Sequence, residues 1–221
     1  MIATQSKAQF FHPPVRIPTY PARPMDGGQL HLAADPIGDW YAELKYNGWR
    51  LQLHLDSGIM FNRQGEELSI SEEFDEALKK VRKLPFEWLD IEGLERRHGI
   101  GRGAFIILDY LPSMAKCGQS RTQDYIERRK YLSLVCGLAQ IPTHTQLDKP
   151  IEDNSVNLIG TYEAAGMRQL YDIGKMCNGP EGMNCEFYEG IVRKKASSPY
   201  PFQLRSPDQT THNWVKHRWH F

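Results

Sequence analysis

Lys45 stands in the run Ala42-Glu43-Leu44-Lys45-Tyr46-Asn47-Gly48-Trp49-Arg50, between an apolar strand start and the alternating segment Leu51-Gln52-Leu53-His54-Leu55. A lysine at a strand-to-loop junction, followed by a glycine that frees the backbone and an arginine that adds positive charge, is a candidate covalent nucleophile. An ammonium cannot attack, so the amine has to lose its proton near neutral pH; neighbouring cations or desolvation favour that by penalising the charged form. Leu89-Asp90-Ile91-Glu92 sets two carboxylates two residues apart, so on a strand both face one side and could hold a divalent cation. Glu189-Gly190-Ile191-Val192-Arg193-Lys194 opens another strand with a third carboxylate, followed closely by cations. In Trp214-Val215-Lys216-His217-Arg218 the same period of two puts Lys216 and Arg218 on one face. Any one of these acids alone reads as readily as a surface salt bridge. Together, a nucleophilic amine, carboxylates for a metal and paired cations for phosphate form the inventory of phosphoryl transfer, where catalysis is mostly alignment and neutralisation of charge.

The elements that must position these groups follow from periodicity. Trp40 to Lys45 is a short strand; Arg50 to Leu55 alternates, Asp56-Ser57-Gly58 turns, and Ile59 to Arg63 returns as a hairpin. Ser71 can cap a helix over Glu72 to Arg82, with Phe74, Leu78 and Val81 as its apolar stripe. Phe86 to Leu94 and Ala104 to Leu111 are strands, the second apolar enough for burial on both faces. A helix is predicted over Gln123 to Leu138, with Tyr131, Leu134, Val135 and Leu138 inward, and another over Asp153 to Ala165, stopped by Gly166. Gly174 to Gly182 reads as a loop, and Glu189 to Arg193 and His212 to Arg218 as strands. Strands and helices mix without regular alternation, which predicts an α+β fold with antiparallel sheets flanked by helices.

The 221 residues predict one domain with a Pro-rich extended lead-in over 1–39. Hydrophobic content of 40% and charged content of 24% exclude disordered and collagen-like classes. Cations and acids balance at 27 each, yet from Ile191 onward Arg193, Lys194, Lys195, Arg205, Lys216 and Arg218 face the single acid Asp208, interleaved with Tyr200, Phe202, Trp214, Trp219 and Phe221. Such a tract suits a polyphosphate or nucleic-acid surface. No apolar run spans a membrane and no signal core opens the chain, which predicts a soluble, cytoplasmic protein. Cys117, Cys136, Cys177 and Cys185 form no Cys-x-x-Cys pair and read as free thiols, a metal at Cys177 and Cys185 being the weaker alternative.

The order and content of these segments resemble the covalent nucleotidyltransferase superfamily of ATP-dependent DNA ligases, RNA ligases and messenger-RNA capping guanylyltransferases, over about residues 20 to 218. Pro24-Met25 looks like the lead-in of many DNA ligases, and Asn62-Arg63-Gln64-Gly65 like their Ser-Arg-x-Gly loop. The resemblance implies the nucleotidyltransferase fold and an ATP-dependent DNA ligase: Lys45 takes AMP from ATP, passes it to the 5′-phosphate of a nick, and the nick is sealed. It implies ATP and Mg²⁺ (or Mn²⁺) as cofactors and nicked duplex DNA, or RNA, as the partner of a monomer that binds no membrane. Carried over by position, Glu43 would lie beside the adenine, with Leu108 in its wall; Arg50 and Arg63 would face ribose or 5′-phosphate. Glu92 and Glu189 would support ribose or the metal, and Lys194, Lys216 and Arg218 the α-phosphate. Arg193 and Lys195 would join Arg50 and Arg63 on the nucleic acid.

The chain also departs from that pattern. Lys-x-Asp-Gly is here Lys45-Tyr46-Asn47-Gly48, which removes a charge near the lysine and moves the reading toward RNA ligases. Asp90-Ile91-Glu92 replaces Asp-Gly-Glu, and Leu108 stands where many ligases stack an aromatic ring on adenine, with Tyr110 or Phe105 as possible substitutes. After Arg218 no room remains for the oligonucleotide-binding (OB-fold) barrel that follows in most relatives, so an isolated catalytic domain and a minimal enzyme are both expected readings.

Overall fold

The computed structural model describes residues 21–30, 38–62, 64–68, 72–94, 101–111, 123–145, 151–177, 188–202 and 209–219. Arg63, Ser71, Cys117, Cys185 and Arg205 lie outside them. In chain order the strands are β1 Arg23–Asp26, β2 Trp40–Tyr46, β3 Trp49–His54, β4 Met60–Phe61, β5 Glu67–Leu68, β6 Trp88–Leu94, β7 Ala104–Tyr110, β8 Thr143–His144, β9 Val156–Ile159, β10 Thr161–Glu163, β11 Tyr188–Lys195 and β12 Thr210–Arg218. The α-helices are α1 Asp75–Val81, α2 Tyr125–Leu138 and α3 Met167–Cys177.

Two sheets carry the site. One runs β1-β12-β11-β2-β10, the other β5-β4-β3-β6-β7-β9-β8. Most pairs are antiparallel as expected, but β1 with β12, β7 with β9 and β8 with β9 are parallel, so both sheets are mixed. The chain crosses between the sheets at two short links: Asn47-Gly48 separates β2 from β3, and Gly160 separates β9 from β10. Lys45 is therefore next to a sheet crossover, where neighbouring segments of one chain can face each other across a cleft.

One apolar cluster fills the space between the seven-stranded sheet (Leu51, Leu53, Leu89, Ile91, Phe105, Ile107) and the helices α1 (Ala77, Leu78, Val81) and α2 (Leu132, Val135, Cys136). A second joins β2 and β11 through Ala42, Leu44, Tyr46 and Ile191 to Leu94, Ala104 and Ile106 and to Met167, Leu170 and Tyr171 of α3. Phe74, Leu78 and Val81 are buried as the periodicity predicts, although Glu72–Phe74 is a 3-10 turn ahead of α1.

Three expectations are corrected. Helix α2 exists, and Glu127 accepts a hydrogen bond from the Asp124 N–H at 3.3 Å to open it, but Tyr131, Leu134 and Leu138 are exposed. Its inner face instead buries Arg128, whose guanidinium meets Asp109 at 3.0 Å, and Arg129, which donates to the Ile159 carbonyl. A paired buried arginine inverts the apolar pattern that periodicity relies on. Asp153 to Ala165 is not a helix: Val156–Ile159 is a strand buried on all four residues beside β7, and a short buried strand cannot be told from a helix by apolar period. Gly174 to Cys177 is not loop but the end of α3, where a Cβ on Gly174 would lie 3.0 Å from Trp219 and 3.2 Å from Leu44; this glycine serves close packing rather than a turn.

Candidate active site

A cleft of about 610 Å³ opens between the sheets, within the range that accommodates a small-molecule ligand. Glu43, Lys45, Arg50, Glu92, Leu108, Glu189, Lys194, Lys216 and Arg218 all line it, so residues from β2, β3, β6, β7, β11 and β12 converge there. Pro24, Asn62 and Gln64 line it as well.

The nearest ionic partner of Lys45 is not a cation. Its ammonium pairs with Glu189, and Arg218 Nε lies 3.7 Å from the same carboxylate oxygen. This corrects the expected cationic surrounding: the first charged group met by the lysine is an acid, which the arginine shares. Arg50 is likewise neutralised: Nε and Nη2 donate to Asp90 at 2.9 and 2.6 Å, and Tyr200 donates to Asp90 at 2.9 Å. Asp90 and Glu92 do share a face of β6, but Asp90 is spent on these contacts and only Glu92 remains open to a ligand.

Register explains how Glu189 reaches Lys45. Tyr188 pairs with Tyr46 and Gly190 with Lys45, so Glu189 is an extra residue in β11 between them. Such a bulge re-aims a side chain, and here the re-aimed carboxylate meets the lysine. Deeper in the cleft Lys194 is caged: Glu43 takes its ammonium at 2.6 Å, and the Trp214 ring lies 4.3 Å from Nζ. Tyr125 of α2 donates to the other Glu43 oxygen at 2.6 Å. Lys216 is 3.5 Å from Asp26, whose carboxyl is held below its usual range first by the Gly28 N–H and then by Lys216. The cations along the cleft outnumber the acids, which suits a polyphosphate.

No protein-family model matches the sequence, and no curated protein matches it. Solved structures do. Mycobacterial DNA ligase D complexed with ATP and MES superposes with a TM-score of 0.55 at 17% identity, over 91% of this chain and 60% of that one. Chlorella virus DNA ligase-adenylate gives 0.55 at 13%, over 89% and 67%, and the ligase domain from M. tuberculosis LigD 0.53 at 16%, over 90% and 59%. The fold is that of the ATP-dependent DNA ligase catalytic domain. At these identities the likeness is one of fold, and the chain spans about three-fifths of the mycobacterial ligase's length.

Within this ligase fold, two sequence candidates among the described residues stand apart from the cleft. Arg193 is buried on the opposite face of β11, its guanidinium 5.9 Å from the Trp40 ring. Lys195 is exposed at the end of that strand, and Arg63 lies outside the described residues. Leu108, the residue expected beside adenine, lines the cleft together with the aliphatic Ile159. Neither expected aromatic substitute reaches it, since Phe105 stacks on Phe74 and Tyr110 on Phe86 in the core. Among the described residues no group of three or more His, Cys, Asp or Glu is arranged to hold a metal by itself, and no helix is long and apolar enough to cross a membrane.

Glu92 is the perturbed acid of the site. Burial pushes its carboxyl up to about 7, against the opposing pull of Lys45, Arg50 and the Gly48 N–H, which donates to it at 2.9 Å. Gly48 owes its identity to this contact rather than to a special φ: a Cβ there would sit 2.5 Å from the Gly93 carbonyl and 2.9 Å from Glu92 Cγ. Because the folded state holds the Glu92 proton more tightly than the unfolded chain, the favourable contribution is complete below pH 4.5 and is lost as pH rises through about 7. Glu92→Gln removes that titration while keeping an acceptor for Gly48. The variant is expected to gain ~2 kcal/mol on the wild type between about pH 5 and about pH 8 in urea unfolding. An unchanged difference across that window would show that Glu92 titrates as an ordinary carboxylate.

Proposed function

We propose that the chain is the adenylylating unit of an ATP-dependent polynucleotide ligase that seals nicks in DNA. The observation that supports this most is Lys45 lining a nucleotide-sized cleft, with Glu189 on its amine and Lys194, Lys216 and Arg218 along the same wall. In the first step Glu189 is the adjacent acceptor for a proton from the Lys45 ammonium, and the neutral amine attacks the α-phosphorus of ATP: a P–N bond forms, the bond to the bridging oxygen breaks with its electron pair leaving on pyrophosphate, and the nitrogen gives a second proton to solvent. Lys216 and Arg218 compensate charge building on the phosphates, the kind of preorganised stabilisation that dominates such reactions. A 5′-phosphate oxygen then takes the AMP and frees Lys45, and the 3′-hydroxyl attacks that phosphate, expelling AMP.

Magnesium fits this donor set as a partner of the triphosphate. The ion keeps much of its water and needs only one or two protein carboxylates; Glu92 gives one oxygen to Gly48 and keeps the other, and Glu189 lies beside Lys45. Bound there, it would add neutralisation of the leaving pyrophosphate.

Intact-mass measurement after incubation with ATP and magnesium tests the reading. One AMP adduct is expected, mapping to Lys45 and labile in acid as a phosphoramidate is; no adduct, or one mapped elsewhere, overturns it. Asn47 in place of aspartate favours a second reading, an RNA ligase of the same superfamily. Incubating the adenylylated protein with nicked DNA and with nicked RNA separates the two.

A further inference from the structure

Behind the cleft, three buried rings meet at a point that the ligation chemistry does not use. His144 comes from β8 at the edge of the seven-stranded sheet, while Tyr46 and Tyr188 are a cross-strand pair of the five-stranded sheet. The Tyr46 hydroxyl is 2.8 Å from His144 Nδ1, and the Tyr188 hydroxyl approaches Nε2 at 3.4 Å. The Tyr46 and Tyr188 ring centroids are 5.4 Å apart, and each lies about 6 Å from the imidazole. All three residues are buried. A neutral imidazole offers one donor and one acceptor, so one hydroxyl donates to it and the other accepts from it. It can satisfy both tyrosines at once, and neither phenol has to find water.

The chain neighbours of these tyrosines matter most. Tyr46 directly follows Lys45, and Tyr188 directly precedes Glu189. The Tyr46–Tyr188 pair is the last regular register before the bulge that turns Glu189 toward Lys45. We infer that His144 is a positioning residue for the Lys45–Glu189 pair: by holding both tyrosine hydroxyls from the opposite sheet, it fixes the register at which the Glu189 bulge begins. The local geometry of two strands of one sheet is thereby set by a side chain of the other. Loss of either hydroxyl frees one strand to shift by a fraction of an ångström, and it is the acid and the amine that move apart.

The inference rests on the ligase reading only for its kinetic arm, so the test has two arms. Tyr46→Phe, Tyr188→Phe and His144→Gln are made alongside Glu189→Gln as a reference, and thermal unfolding selects the variants that fold. In the first arm, acetic anhydride labelling followed by peptide mass spectrometry reads the reactivity of the Lys45 amine with no nucleotide present. Displacement of the Glu189 carboxylate is expected to raise Lys45 labelling about threefold or more in each variant, in the direction of Glu189→Gln, with Lys79 and Lys83 unchanged as internal controls. In the second arm, single-turnover AMP transfer from ATP is expected to slow about tenfold with the ATP concentration dependence unchanged, because positioning rather than nucleotide binding is lost. Pairing Tyr46→Phe with His144→Gln is expected to be non-additive. Lys45 reactivity that matches wild type in all three folded variants overturns the inference. Altered reactivity in a protein that never accepts AMP upholds the positioning role and overturns the ligase reading instead.

Discussion

Lys45→Arg is expected to abolish AMP uptake from ATP, a loss of at least ~10³-fold, while leaving the fold's stability within about 1 kcal/mol of wild type. The two halves of this outcome have different causes. Arginine keeps a positive charge on a long stem, so the ion pair with Glu189 survives, and that pair is partly exposed on both sides, with 21% and 26% side-chain exposure. Pairs of this kind contribute little to stability in any case. Chemistry fails because a guanidinium stays protonated at any pH the protein tolerates and offers no nucleophilic lone pair. Lys45→Ala would lose the chemistry too, but it also leaves Glu189, among the described residues, with Arg218 at 3.7 Å as its ionic partner, so a change in cleft electrostatics would be mixed into the result. Intact mass after exposure to ATP and magnesium, read beside a urea unfolding curve, checks both halves. An arginine variant that still acquires AMP at the wild-type rate means that another side chain carries the nucleotide.

What the sequence discloses here is what can be read within one strand. Asp90 and Glu92, or Lys216 and Arg218, occupy one face because side chains on a strand alternate, and the structure places Glu92, Lys216 and Arg218 on the cleft. Lys45 beside a glycine-bearing junction was legible for the same local reason. The ionic environment of the lysine was not, since Glu189 is 144 residues away along the chain and is aimed by a bulge that no period of two foretells. Long-range pairing also decided which carboxylate stayed open: Asp90 and Glu92 look equivalent in sequence, but Arg50 and Tyr200 claim the first. Helix α2 failed as a pattern because Arg128 finds Asp109 inside the protein, and a charge so paired can occupy a position that periodicity reserves for leucine. His144 gave no signal, being a lone histidine in a loop-like stretch whose meaning depends on two tyrosines from another sheet.

The departures from the ligase pattern act on separate parts of the cleft. Leu108 lines the cleft as an aliphatic side chain, so on the proposed reading it would meet a base by apolar contact rather than by stacking. Asn47 alters the charge beside the lysine, where Glu189 and Arg218 already set a balance of opposite signs. Lys194, Lys216 and Arg218, the cations that would meet phosphate on the proposed reading, are each held against an acid that a bound polyphosphate would have to compete with. Holding such side chains in place before the ligand arrives reduces the ordering cost of binding.

Gly190→Ala is expected to destabilise the protein by about 3–5 kcal/mol, more than any surface change in the cleft. Gly190 has φ +152°, a conformation that side-chain-bearing residues rarely adopt, and a Cβ there would fall 1.9 Å from the His217 carbonyl oxygen and 2.9 Å from the Arg218 Cα. Both obstacles are backbone atoms of β12, so no rotamer change relieves them; β11 and β12 must separate or β11 must lose its bulge. Either response moves Glu189 from Lys45 or Arg218 from Glu189, so the folded remainder of this variant is also expected to lose AMP transfer. Gly137→Ala is the matched control. Gly137 lies near the end of α2 with nothing within 4 Å of its added Cβ, and the exchange there is expected to stabilise by ~0.5–1 kcal/mol through helix propensity. Urea unfolding of the two variants thus separates a glycine required by close approach from one that is merely tolerated. A Gly190→Ala protein within about 1 kcal/mol of wild type would mean that β11 and β12 are not held as closely as the bulge requires, and the aim of Glu189 at Lys45 would then need another cause.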